Sequence, residues 1–194
     1  MIADLIRRSR SYRRFYQNHT VDGNTLEELV NLARLSPSAA NLQPLKYILA
    51  TESGINTQIF SCLAWSAYLK DWSGPQEGER PSAYIVILSD TTISKTVDCD
   101  HGIACQSILL GAREIGLGGC IIASINREKL RKVLQIDPQY KVMLVIALGR
   151  PREEVVIEVA NPDDSIKYWR DDKNVHHVPK RNLNDIILPT YINR

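Results

Sequence analysis

Five arginines fall within the eight positions Arg7-Arg8-Ser9-Arg10-Ser11-Tyr12-Arg13-Arg14. Crowded like charges repel, so such a run needs an anionic partner or full solvation. Arginine throughout, rather than lysine, suits forked donation to phosphate oxygens, and Ser11 adds a hydroxyl donor. On these residues alone two other readings stay open, a solvated basic face and an RNA contact. A second candidate is Ser36-Pro37-Ser38-Ala39-Ala40-Asn41-Leu42-Gln43-Pro44. Its prolines fix the backbone, and Asn41 and Gln43 offer the amide donors and acceptors that match a heterocycle edge. The same residue types also build an ordinary turn.

Other runs carry less. Gly116-Leu117-Gly118-Gly119 invites a dinucleotide-binding reading, but the sixth position from Gly116 is Ile121. The run also follows a predicted helix and precedes a strand, the reverse of the order that aims helix amides at a phosphate. It reads as a helix end and tight turn. Asp98-Cys99-Asp100-His101 has metal-ligand types, yet adjacent residues on a helix point apart and cannot chelate together. Acids at a helix N-terminus are the plainer account, and no metal is expected. His176-His177 reads as a surface pair. With no G-x-S-x-G elbow and no H-E-x-x-H, a bound cofactor is the expected carrier of the chemistry.

The elements that must position these residues are legible in outline. Residues 2–11 read as a short helix with Ile2, Leu5 and Ile6 on one face. Thr25 and Glu28 have capping-box spacing ahead of the stripe Leu26, Leu29, Val30 and Ala33. That helix stops near Ser36, because Pro37 disfavours helix before it. A strand over 45–50, a helix over 55–69 and a turn-rich loop over 71–78 follow. Residues 84–89 are a continuous apolar strand. Residues 102–115 are apolar on nearly all sides and read as a buried central helix. A strand over 120–123, a helix capped by Asn126 and ending near Leu134, and a very hydrophobic strand over 142–148 complete the pattern. Beyond Pro151 the chain turns polar and irregular. It has few core residues after Ala160, and such a tail is more stable lying on another subunit.

The 194 residues, 44% hydrophobic and 24% charged, suit one domain over 1–194 with a core that needs no disulfide staples. A net charge of +2 is too small for wholesale nucleic-acid binding. Four cysteines without a C-x-x-C pair, no secretory leader pattern and no apolar run of ~20 residues lead to the expectation of a cytoplasmic protein with no membrane partner.

Taken in order, these segments resemble the nitroreductase family. Arg10-Ser11-Tyr12-Arg13-Arg14-Phe15 is similar to its N-terminal signature, and Ser36 through Pro44 to its most distinctive motif. Asp100-His101-Gly102 through Gly119-Cys120, Ala147-Leu148-Gly149-Arg150-Pro151 and Pro179-Lys180-Arg181-Asn182-Leu183 follow in the right places. The resemblance implies an α+β fold, a three-layer α/β/α sandwich around a central mixed sheet, with a C-terminal arm (about 160–194) exchanged across a homodimer. It implies bound FMN, with NADH or NADPH as donor and nitro, quinone or related small molecules as acceptors in a ping-pong cycle. Arg10, Ser11 and Arg13 would hold the FMN phosphate and ribityl chain, joined by Lys180 and Arg181. Pro37, Ser38, Ala39 and Asn41 would line the flavin from the partner subunit, with Gln43 nearby. Ile122, Ala123 and Ser124 would follow the isoalloxazine edge. The sequence departs from the family at Ser9, at Ala123-Ser124 where paired glycines are frequent, and across 65–80. There Trp65, Tyr68 and Trp72 read equally as a lid or as core. Within the family, a dehalogenase-like or flavin-destroying specialist is the alternative activity.

Overall fold

The computed structural model describes residues 1–69 and 71–188. These fall into two compact units, one built from 1–65 with 73–152 and the other from 66–72 with 153 onward. Lys70 and residues 189–194, the end of the expected arm, lie outside the described residues.

The first unit is organised by β2 (Ala83–Asp90), every residue of which is buried. A strand buried on both faces needs helices on both sides, and its unbroken apolar run supplies the surface for them. It pairs antiparallel with β1 (Leu45–Ala50) on one side and β4 (Tyr140–Gly149) on the other. With β3 (Gly118–Ile122) beyond β4, the order is β1-β2-β4-β3. All these pairings are antiparallel; a parallel contact enters at the β3 edge, where Ser11 bridges to Gly119. One face carries Ala83, Ile85, Ile87, Ile146 and Leu148, packed against α2 (Gly23–Arg34) and α4 (Asp100–Glu114). Side chains alternate along a strand, so Tyr84, Val86 and Leu88 face the other way. There α3 (Ser53–Phe60) and α5 (Arg127–Val133) contribute the fully buried Ile59 and Leu130. The unit is therefore the expected α/β/α sandwich. Each fully buried Leu or Ile contributes about 1.5–3 kcal/mol.

Several element ends differ from the sequence reading. The cap of α2 is Asp22, whose carboxylate accepts the Thr25 N–H at 2.7 Å, so the helix starts ahead of the Thr25–Glu28 pair. α1 is confined to Ile2–Arg8. α3 ends at Phe60 rather than near residue 69, because Cys62 and Ala64 turn aside to bond Asn126 and Ser124. α4 buries Ala104, Cys105, Ile108 and Ala112 but leaves Gly102 and Gln106 exposed, so it is covered on one side only in a single chain. The glycine-rich turn is a helix end, with Gly116 at φ +82°. Gly119 serves close packing instead: a Cβ there would lie 2.6 Å from the Ala147 carbonyl oxygen.

The second unit is not the irregular polar stretch that composition suggests. It holds a sheet in the order β5-β7-β6, from β5 (Val155–Ala160), β6 (Trp169–Arg170) and β7 (His176–Arg181). β5 and β7 run parallel. The expected surface pair His176-His177 is a correction: alternation along β7 turns His176 inward, 1% exposed, against the Tyr168 ring at 5.2 Å. His177 takes the other face, stacked on Trp169 at 4.0 Å and bonded to Glu158. Tyr168 and Arg170 also hold the segment 66–72: the Tyr168 hydroxyl accepts the Ala67 N–H at 3.2 Å, and Arg170 lies 4.4 Å from the Trp72 ring.

Candidate functional site

The arginine run is sorted by its partners. Arg8 pairs with Asp4 at 2.7 Å. Arg14 forms a fork on Glu79, a carboxylate whose side chain is only 5% exposed. Arg13 is itself buried, and donates from Nε to the Trp65 carbonyl at 3.1 Å and from Nη1 to the Ser11 carbonyl at 3.2 Å. Arg10 bonds the Ile6 carbonyl through Nη2, has no acidic partner among the described residues, and keeps a buried Nε with no partner. Arg13 and Arg14 are thus internal structure, Arg7 and Arg8 lie exposed on α1, and Arg10 is the half-buried member that keeps an unpaired donor next to the exposed Ser11.

This segment lies along the β3 edge. The Tyr12 N–H donates to the Gly119 carbonyl at 3.0 Å, beside the Ser11–Gly119 bridge. Gly118 is required there, since its Cβ would meet the Tyr12 ring at 2.5 Å. Just past the end of β3, Ala64 donates to the Ser124 carbonyl at 2.9 Å, while Leu63 bridges to Ile125. Of the three residues expected along a ring edge, Ile122 points into the core and Ala123 and Ser124 are exposed. Arg10, Ser11, Ala123 and Ser124 therefore share one sheet edge, with Arg13 tying the Ser11 carbonyl to that of Trp65. The carbonyl of Trp65 that receives Arg13 is a site feature the sequence reading missed, and a backbone acceptor leaves no trace in composition. Trp65 itself is core, packed on Phe60 at 5.5 Å.

The second motif sits at the opposite edge, ahead of β1. Residues 39–41 form a 3-10 turn, and Ala40, Asn41 and Gln43 all have positive φ (48°, 54° and 52°). Left-handed backbone costs a non-glycine residue about 1–2 kcal/mol, so three within four residues require outside support. Asp100, at the start of α4 and 4% exposed, accepts the Ala39 N–H at 2.9 Å. The Ser38 hydroxyl accepts the Gln43 N–H at 2.9 Å, and the Ser36 and Ser107 hydroxyls bond at 2.7 Å. The Asp98–His101 run thus supplies a brace for the loop. Tyr47 borders the adjoining cavity of about 220 Å³ with Pro37, Ser38 and Gln43. Burial pushes its phenol up to about 12, helped by Cys105 and Asp100, so it stays neutral. Cys105 is likewise pushed up to about 12 by burial and is no nucleophile at neutral pH.

The two motifs do not meet within one chain. Three inter-strand steps separate β1 from β3, roughly 14 Å. Pairing aligns Ile122 with Val145, Val86 and Ile48, five residues beyond Gln43, which adds roughly 17 Å along the strand. Lys180 and Arg181 are exposed at the end of β7, in the second unit. Among the described residues, no helix is long and apolar enough to cross a membrane.

Fold and site together define an α+β sandwich with a basic cradle at one sheet edge and a strained polar loop at the other. A nitroreductase family protein of Clostridium novyi NT has the same architecture, with a TM-score of 0.66 and 25% identity, over 78% of this chain and 86% of that one. So has an FMN-dependent nitroreductase of Clostridium difficile R20291, with a TM-score of 0.65 and 23% identity, over 79% of this chain and 89% of that one. A protein of Archaeoglobus fulgidus, provisionally named NADH dehydrogenase/NAD(P)H nitroreductase, is 28% identical over 151 residues, 73% of this chain and 80% of its own. The model of the nitroreductase family matches residues 6–150. This chain belongs to the nitroreductase family.

Proposed function

We propose that the chain is an FMN-dependent oxidoreductase that works as a symmetric pair, moving electrons from NADH or NADPH to nitro, quinone or related small acceptors. The observation that carries this reading is the split site: a cationic cradle and a strained, exposed polar loop on opposite edges of one sheet. Each half is solvent-facing and unfinished, and a two-fold partner brings the second half to the first. FMN fits the cradle because a phosphate gives the buried Arg10 Nε the acceptor it lacks, beside the Ser11 hydroxyl. Lys180 and Arg181 are given to the same phosphate by the family resemblance.

Bound FMN supplies the redox chemistry, hydride acceptance and electron release. The residues of this chain bind and orient. Arg10 and Ser11 anchor the anionic end, and Arg13 fixes Ser11 through its carbonyl. Ala123 and Ser124 would border the ring, while the partner subunit's Pro37, Ser38, Ala39, Asn41 and Gln43 would cover it. With bound FMN supplying that chemistry, no side chain of this chain would be needed as acid or base, and donor and acceptor binding in turn would give ping-pong kinetics. The name of the Archaeoglobus relative supports the nicotinamide donor, and that of the Clostridium difficile protein supports the flavin. None of the four cysteines is in a disulfide, which suits a reducing compartment.

Purified protein is expected to be yellow, with one FMN per chain, and to bleach on addition of NADH or NADPH and recolour with a quinone. Colourless protein that gains no absorbance from added FMN overturns the reading.

A further inference from the structure

A cleft of about 370 Å³ opens in the first unit, lined by α3, the start of β2 and residues 17–21. Four of its lining residues carry a polar atom that is shielded from water and has no hydrogen-bond partner: Asn56 Oδ1, Arg80 Nε, Ser82 Oγ and the Tyr84 hydroxyl. A buried polar atom left unpaired costs about 1–3 kcal/mol, so four around one cleft are a concentrated deficit. The surrounding bonds hold the walls in place without relieving it. Asn56 spends its amide N–H on the Ser82 carbonyl at 2.8 Å, leaving its own oxygen bare. Arg80 lies 4.4 Å from the Phe60 ring and pairs through Nη1 with the exposed Glu77, leaving Nε unused.

The missing partners have a definite chemistry. Arg80 Nε only donates, while the hydroxyls of Ser82 and Tyr84 can donate or accept and so complement an acceptor held by Arg80. Asn56 Oδ1 needs a donor. Among the described residues lining the cleft, Arg80 is the one cation and there is no carboxylate. Phe60, Val21 and Pro81 supply apolar wall. The space is roughly ten times the share of one water molecule, within the size range of small-molecule pockets.

We propose that this cleft is a binding site for a small organic carboxylate that also carries a hydroxyl or amine donor. The carboxylate enters beside Arg80, Ser82 and Tyr84, whose buried polar atoms turn toward it on binding, the donor faces Asn56, and the body lies against Phe60 and Val21. The cleft shares no residue with the β3 edge or with the loop before β1, so it is a site separate from the proposed flavin site.

The probe is 4-hydroxybenzoate, titrated calorimetrically into the protein as isolated. Saturable binding with a dissociation constant below about 1 mM is expected. Arg80→Gln weakens it at least ~10-fold by removing the forked charge-assisted donor. Tyr84→Phe keeps the packed ring, removes only the hydroxyl, and weakens binding several-fold with flavin content unchanged. A soaked crystal is expected to show the carboxylate against Arg80. Absence of saturable heat, equal affinity in both variants, or a crystal with only ordered water in the cleft or the probe bound elsewhere overturns the proposal.

Discussion

Arg10 and Arg13 stand three positions apart in one basic run, yet the structure gives them opposite duties. Arg13 spends its guanidinium on the carbonyls of Trp65 and Ser11 beneath the surface, whereas Arg10 keeps a nitrogen unpaired. Arg13→Ala leaves buried carbonyls without a donor, so it should lower stability by about 2–3 kcal/mol in urea unfolding of flavin-free protein. Arg10→Ala should change stability by less than about 0.5 kcal/mol while sharply lowering retained FMN on gel filtration. Equal stability losses in the two would remove the distinction. Nothing in the run separates these arginines by type; depth inside the fold does, and one-letter spacing does not encode depth. The loop before β1 is similar. Its polar residues announce a turn or a binding edge, but left-handed backbone at Ala40 and Gln43 contradicts local preference and is invisible beforehand. Ala40→Gly removes part of that strain, about 1 kcal/mol. It should raise the melting temperature and reduce FMN retention, because a rigid loop becomes a loose one. Unchanged retention would show that the strain has no part in binding.

At the scale of elements, strands are easier to read than helix ends. β1 is expected over 45–50 and occupies Leu45–Ala50, and the unbroken apolar run of β2 announces burial on both faces. Helix α3 is overextended in the sequence reading, because its apolar pattern continues past Phe60 into residues that serve the contact with Ser124 and Asn126. Asn126 is readable as a cap and accepts the Lys129 N–H at 3.0 Å. Asn126→Ala should cost about 1 kcal/mol, and a loss well under half that in thermal unfolding would mean the cap is not used. Two strands of the small sheet escape sequence reading because β6 has only two residues and β7 carries His, Pro and Lys, whereas the β-branched run of β5 (Val155–Ala160) is legible as a strand and the sequence reading passes over it. There His177 is bonded to Glu158 on β5, also faces Asp171, and stacks on Trp169. The Glu158 hydrogen bond, against some desolvation, raises the His177 pKa above its ordinary 6.5. A raised folded value means the contribution is complete below the unfolded pKa and is lost as pH rises through the folded one. Trp169 fluorescence should therefore shift as pH rises above the ordinary histidine range and through the raised His177 pKa, and His177→Gln should abolish the shift. A pH-independent signal in the parent protein would refute the coupling.

For the whole molecule, the decisive fact is that one sheet presents the cradle at β3 and the loop before β1, too far apart to serve one ligand. Family resemblance supplies the residues of both halves and assigns the second to a partner subunit, and the strand order gives the physical reason, since it keeps the two edges of one chain apart. In the proposed two-fold pair each site would take one edge from each chain, so defects in different halves would be separable. A chain carrying Arg10→Ala loses the cradle, and one carrying Asn41→Ala with Gln43→Ala weakens the loop. Either alone should form pairs with both sites damaged. When the two are unfolded together and refolded, random pairing makes half of the pairs mixed, and each mixed pair holds one site with neither defect. About one quarter of the parental FMN content and NADPH-dependent quinone reduction should return. Recovery requires that the halves come from different chains. If a site were built within one chain, every site in the mixture would carry one defect or the other, and no activity above that of the separate variants would appear.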